Sequence, residues 1–277
     1  MTTEPALQSK QSITVADLQG IARTLLVPLA CRALESSRPD AIIHDPRSVE
    51  VYNALGGSPD FLLGMSGHDL FVAVMRVRQF DTFARNFLAR NPGGLVVDIG
   101  CGLDTRFDRL DDGHMSWLGL DLPEVIDLRR QCLPDADRCK TIPQSMFDLS
   151  WLDEVERMDS PVIFLAEGVF PYFSTDDVKP MLLEMVRRFP SGELVFDAMA
   201  PFMRWIHKLT SSVLKRSGTQ IRWDAKNPAV LEAWGLHLLE RWGYFDKPEP
   251  RLGRASLIRF IPTLANATYI LHYRLGL

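Results

Sequence analysis

The run Leu95–Leu110, "LVVDIGCGLDTRFDRL", restricts this chain more than any other part of it. Its first five residues are apolar apart from Asp98, which suits a strand buried on both faces. Gly100 and Gly102 follow at once, and a helix is expected to open near Asp104 or Thr105. Glycine lets the main chain turn with positive φ and lie close against a ligand, so strand, glycine turn and helix read as a nucleotide-binding βα unit. A dinucleotide fingerprint needs a third glycine where Thr105 stands, and a cofactor without a pyrophosphate therefore fits better.

Downstream, short apolar runs alternate with helical stretches. "LVVDI", "SWLGLD", "PVIFLAE" and "GELVFDAM" read as strands, a third strand is expected ahead of Asp148, and "ATYILHYRLGL" suits a late strand at or near a sheet edge. Such alternation predicts βαβ units and a parallel sheet covered on both faces. Upstream, Val15 to Arg90 reads as helices that "NPGG" terminates. After Met199, "APFMRWIHKLTSSVLKRSG" reads as a helical segment, and "NPAVLEAWGLHLLERWGYF" as a helix running into a strand. With 277 residues, 46% of them hydrophobic, one large core is sufficient. The chain divides into a helical cap (1–90), a cofactor-binding core (91–199), a lid or acceptor region (200–250) and a C-terminal strand region (251–277) of a single domain.

Acids stand where the strands should end. Asp98 lies inside an apolar strand and needs a partner when buried, so it is expected to brace the glycine turn or hold a cofactor's ammonium group. Asp121 follows the glycines by ~20 residues, the place of a ribose-binding acid in Rossmann-type folds. Asp148 is placed to receive an adenine amino group, with Leu149 offering a backbone amide, and Glu167 ends the strand at the carboxyl edge where open α/β sheets bind ligands. Singly, each acid reads as well as a helix cap or a solvated loop residue. Four at successive strand ends favour a ligand.

A net charge of −4, with scattered Lys and Arg, argues against nucleic acid. Four cysteines without CxxC pairing are expected to be reduced thiols of a cytoplasmic protein. No signal peptide or membrane span is expected, and histidines without metal-ligand spacing assign no metal.

"DIGCGLDTRFDRL", "LDLPEVIDLRR", "FDLSWLDEV" and "LAEGVFPYFS", joined by "RALESSRPDAIIHDP" and "MRVRQFD" upstream and "LLERWGYFDKPEPRLG" and "YRLGL" downstream, carry a resemblance across nearly the whole chain. The chain resembles the leucine carboxyl methyltransferase superfamily, in its bacterial branch of tetracenomycin-type polyketide O-methyltransferases. The resemblance implies a Rossmann-like class I methyltransferase fold, α/β, with a mostly parallel seven-stranded sheet, helices on both faces and a lid insertion after strand five. It implies S-adenosyl-L-methionine as cofactor, with Arg76 on its carboxylate, Gly100 and Gly102 at its methionine part, Asp121 on the ribose, Asp148 and Leu149 on the adenine and Glu167 on the amino group. Arg78 is the second candidate for the carboxylate role.

The expected acceptor is a carboxyl or phenolic oxygen of a small aromatic or polyketide-like molecule, carboxyl being preferred. Tyr172, Arg204, Trp205 and His207 are its candidate contacts, and no catalytic residue is assigned. Oligomeric state is left open. Two other readings of the turn remain: a nicotinamide-dependent oxidoreductase and a non-catalytic cofactor-binding protein.

Overall fold

The computed structural model describes residues 25–58, 62, 65–203, 205–206, 220–223 and 228–276. Its strands are β1 (Leu95–Ile99), β2 (Ser116–Asp121), β3 (Cys139–Pro143), β4 (Val162–Ala166), β5 (Glu193–Met199), β6 (Leu236–Gly243) and β7 (Thr268–Leu275). They form one sheet in the order β3-β2-β1-β4-β5-β7-β6. β1 pairs parallel with β2 and β4, β2 with β3, and β4 with β5, while β7 runs antiparallel to both β5 and β6. The antiparallel strand is therefore β7, one place in from the edge. Strand order reverses between β1 and β4, and open α/β sheets bind ligands at the carboxyl side of that reversal.

The helices are α1 (Leu26–Ser36), α2 (Pro46–Ala54), α3 (Gly67–Arg90), α4 (Arg106–Leu110), α5 (Pro123–Cys132), α6 (Trp151–Arg157), α7 (Thr175–Arg188) and α8 (Pro262–Ala265). Strand side chains alternate between faces. On β1, Leu95, Val97 and Ile99 join Phe164, Phe196, Trp151 and the α7 residues Val178, Met181, Leu182 and Met185 in one core. Val96 joins Trp117, Ile163, Leu165 and Val195 on the other face, under Phe80, Phe83 and Phe87 of α3. Each such fully buried side chain contributes about 1.5–3 kcal/mol. Pairing one strand face with each helical layer fixes the register, since a one-residue slip would exchange the two faces.

Residues 1–90 do not all stand apart from the sheet. The second half of α3 is a covering layer of the sheet itself, whereas α1 and α2 build a separate core with Leu29, Ala30, Val51, Tyr52, Val74 and Val77. α3 is held at its start by a capping box, with Ser66 and Asp69 bonding each other's backbone N–H. The helix expected ahead of β6 is a 3-10 segment, Pro228–Trp234, ended by Gly235 at φ +85°. The part of the expected first helix before Leu25 lies outside the described residues.

Candidate active site

The two-residue period that orders the core also orders the acids. Asp98 shares a face with Val96, and Asp197 of β5 shares a face with Val195, in both cases the α3 side of the sheet. Glu167 continues that face, two residues beyond Leu165. Three carboxyl groups thus stand at the carboxyl ends of β1, β4 and β5, across the strand-order reversal. α3 meets them with Arg76, one turn ahead of Phe80 on the same helix stripe. Arg76 Nε donates to Glu167 Oε1 at 3.1 Å and its Nη1 to Asp197 Oδ2 at 3.3 Å. Two residues along a helix is a rotation of about 200°, so Arg78 points elsewhere and pairs with Glu249 at 3.4 Å. Of the two arginines, Arg76 faces the site.

Behind this row lies a buried ionic cluster. Arg106, fully enclosed, bonds Asp81 at 2.6 Å, Asp104 at 2.5 Å and Glu167. Arg109 bonds Asp81 at 3.0 Å and Asp45 at 2.5 Å, and Asp45 also accepts from the Thr105 hydroxyl at 2.6 Å while capping α2 through Ser48 N. Glu167 is thereby clamped between Arg76 and Arg106. Three successive carbonyls of the glycine turn are held as well: Arg129 donates to Gly102 O and Asp104 O, and Arg32 to Leu103 O. The run "GLDTR" is therefore one connected unit of turn, cap and salt bridge.

The turn itself is braced by Asp121. Its Oδ2 accepts from Gly102 N and its Oδ1 from Leu122 N, each at 2.8 Å, and Gly100 N reaches Leu120 O at 2.7 Å. Of the two roles expected for Asp98, bracing the turn thus falls to Asp121, while the buried Asp98 Oδ2 has no hydrogen-bond partner among the described residues. The Arg106 donors are engaged by Asp81, Asp104 and Glu167. Burial, reinforced by neighbouring Asp104, pushes the Asp98 carboxyl well above its ordinary range. Burial also pushes Asp121 up to about 6 and raises Asp197. Gly100 sits at φ +70°, and a Cβ there would meet Val169 Cγ2 at 2.5 Å. Gly100→Ala is expected to destabilise by about 2–4 kcal/mol through backbone strain and overpacking, read as a lowered urea midpoint with the cofactor affinity falling alongside.

The remaining expected residues distribute unevenly. Asp148 is exposed beyond β3, its Oδ1 accepting from Ser150 N and Oγ, and half-buried Leu149 packs on the sheet core. Tyr172 closes the 3-10 turn Phe170–Tyr172 after Glu167 and is half-buried. Trp205 stands 67% exposed and Ile206 39%, so neither is sealed into the core. Arg204 and His207 lie outside the described residues. Sequence reading missed Asp197 and Arg106; the first had a signal, an acid within the apolar run "ELVFDAM", of the same kind that marked Asp98. Among the described residues, no group of three or more His, Cys, Asp or Glu is arranged to hold a metal ion, and no helix is long and apolar enough to cross a membrane.

Comparison with known proteins places this geometry. The leucine carboxyl methyltransferase family model matches residues 26–186. The tetracenomycin polyketide synthesis O-methyltransferase TcmP of Streptomyces glaucescens is 32% identical over 268 residues, 92% of this chain and 97% of its own. The S-adenosyl-L-methionine-dependent methyltransferase dpfgK of Gibberella zeae is 30% identical over 246 residues, 81% of this chain and 82% of its own. Among solved structures, a candidate methyltransferase from Thermobifida fusca YX superposes with TM-score 0.57 at 14% identity, over 94% of this chain and 96% of its own. A DUF574 family protein of Streptomyces avermitilis MA-4680 superposes with TM-score 0.53 at 17% identity, over 89% and 96%. The two structures support the fold, and the sequence matches extend through the glycine turn, the acids and the ionic cluster: the chain belongs to the leucine carboxyl methyltransferase family.

Proposed function

We propose that the chain is an S-adenosyl-L-methionine-dependent O-methyltransferase acting in the cytoplasm on a small molecule, at a carboxyl or phenolic oxygen of an aromatic or polyketide-like skeleton. The observation that carries the cofactor part is the row of acids at the strand-order reversal, with the buried Asp98 Oδ2 left without a partner. A cofactor bearing a sulfonium and an ammonium group brings the positive charge and the donor that this oxygen lacks. When bound, the cofactor supplies an electrophilic methyl group. The chain's residues do the rest: Asp121 accepts from the ribose hydroxyls, Asp148 and the Leu149 amide take the adenine edge, and Gly100 and Gly102 line the methionine part. Glu167, fixed by Arg106, takes the amino group, while Arg76, whose Nη2 has no acceptor among the described residues, takes the carboxylate.

Methyl transfer from a sulfonium needs the nucleophile held in line at about 3–3.5 Å. A carboxylate is already ionised at neutral pH and needs no base, whereas a phenol near pKa 10 gains from one. The support for an oxygen acceptor of polyketide type is the TcmP similarity along 92% of the chain. Its test is transfer of a labelled methyl group to a panel of aromatic carboxylates and phenols; labelled ester or ether sustains it, and tight cofactor binding without transfer to any oxygen acceptor removes it.

A pH dependence follows from Asp121. Its carboxyl, raised by burial to about 6, must be ionised to accept from the ribose and to favour a positively charged cofactor. Proton and cofactor compete, so affinity is complete above that pH and is expected to fall about tenfold per unit below it. Calorimetric titration between pH 5 and 8 checks this, and an affinity that rises in acid would contradict it.

A further inference from the structure

We infer that Asp197 is a positioning residue: it sets the spacing of the two groups that read the amino-acid end of the cofactor, Glu167 for the ammonium and Arg76 for the carboxylate. The inference rests on the methyl-transfer reading above. Asp197 takes no cofactor atom itself and acts through these two neighbours.

Its placement starts from strand register. β4 and β5 run parallel with Ala166 opposite Phe196, so one step further Glu167 stands opposite Asp197 on the same face of the sheet. Two carboxylates side by side repel. Arg76 of α3 is set between them, its Nε on Glu167 Oε1 at 3.1 Å and its Nη1 on Asp197 Oδ2 at 3.3 Å. The other oxygen of Asp197 accepts from Gly168 N. That amide belongs to the peptide unit joining Glu167 to the turn after β4, so Asp197 holds the backbone that carries Glu167 as well as the guanidinium that faces it.

The turn adds a second contact. Gly168 sits at φ +69°, and a Cβ there would lie 3.4 Å from Arg76 Nη2 and 3.5 Å from Nη1, so the guanidinium rests against the turn. Glu167 has a further tie to Arg106. Arg76 has none of that kind: its hydrogen bonds among the described residues go to Glu167 and Asp197 alone. Without Asp197 it is left to pivot on a single partner. An α-amino acid carries its ammonium and carboxylate on one carbon, and a site that reads both gains affinity from partners already held at the right spacing.

The test titrates the whole chain by calorimetry with S-adenosylhomocysteine and with 5′-methylthioadenosine, which shares the adenosine and the sulfur but lacks the amino acid. The native protein is expected to bind S-adenosylhomocysteine more tightly. Asp197→Asn keeps the size and an oxygen for Gly168 N, but its amide nitrogen cannot accept from Arg76. It is expected to lose on the order of tenfold for S-adenosylhomocysteine, with 5′-methylthioadenosine affinity within about twofold. Asp197→Ala removes both acceptors and should lose more of the first ligand than Asp197→Asn does. Equal or tighter S-adenosylhomocysteine binding in Asp197→Asn overturns the inference. So does a parallel loss of both ligands, which would make Asp197 a support of the whole fold rather than of the amino-acid end. A native protein that binds the two ligands equally removes the roles given to Glu167 and Arg76, and the inference with them. One that binds neither removes the methyl-transfer reading itself.

Discussion

Arg106→Ala is expected to lower stability by about 3–5 kcal/mol, the size of effect seen when one member of a buried ionic cluster is removed. The guanidinium is fully enclosed and faces Asp81, Asp104 and Glu167 at once. Its removal leaves three carboxyl groups with Arg109 and Arg76 as their remaining close partners. Against a total of about 5–15 kcal/mol for a folded protein, the loss is large enough to move a urea midpoint well outside error. Arg106→Lys keeps the charge but offers no planar fork for several carboxylates, so it should recover only part. The effect also has a pH sign. Nearby arginines hold Asp81 and Asp104 below the ordinary carboxylate range despite their burial. Their contribution is present above the unfolded-state pKa and disappears as pH falls through the folded one. The gap between native and Arg106→Ala should therefore be widest near neutrality and narrow in acid. A difference below about 1 kcal/mol at pH 7 would mean that the cluster contributes no net stability.

The second large effect is expected at Asp121. In Asp121→Ala the ribose loses its acceptor, and Gly102 N and Leu122 N lose theirs. Charge-assisted hydrogen bonds are each worth about 1.5–3 kcal/mol, so a two-bond loss corresponds to about a hundredfold weaker cofactor binding or more. Asp121→Asn separates the two roles. It retains an acceptor oxygen for the turn but removes the charge, so it should bind the cofactor better than the alanine variant and lack the loss of affinity near pH 6. Unchanged affinity in both variants would take the ribose away from Asp121.

Much of this architecture was legible because it rests on local signals. The run "LVVDI" and the glycines after it specify a strand and a turn within ten residues, and the acids at positions 98, 121, 148 and 167 follow once the strands are counted. β3, "CKTIP", is too short and polar to announce itself and was expected from the rhythm of its neighbours. What could not be read is carried by contacts between distant parts of the chain. Arg76 meets Glu167 and Asp197 across 91 and 121 residues, and Arg106 meets Glu167 across 61. Only the sheet order, which brings β1, β4 and β5 side by side, makes those pairs neighbours. Asp98 is instructive, since a buried acid is expected to need a partner. The described residues give its Oδ2 no partner, and that orphaned oxygen supports the reading that a ligand completes the site.

The measurement that reaches the centre of this account is calorimetric titration of the purified protein with S-adenosyl-L-methionine and S-adenosylhomocysteine, with NAD as the control. Saturable binding of the first two at one site, and none of NAD, is the predicted result. Binding of NAD instead, or of none of the three, would contradict the assignment of the acids and the glycine turn to a methyl donor.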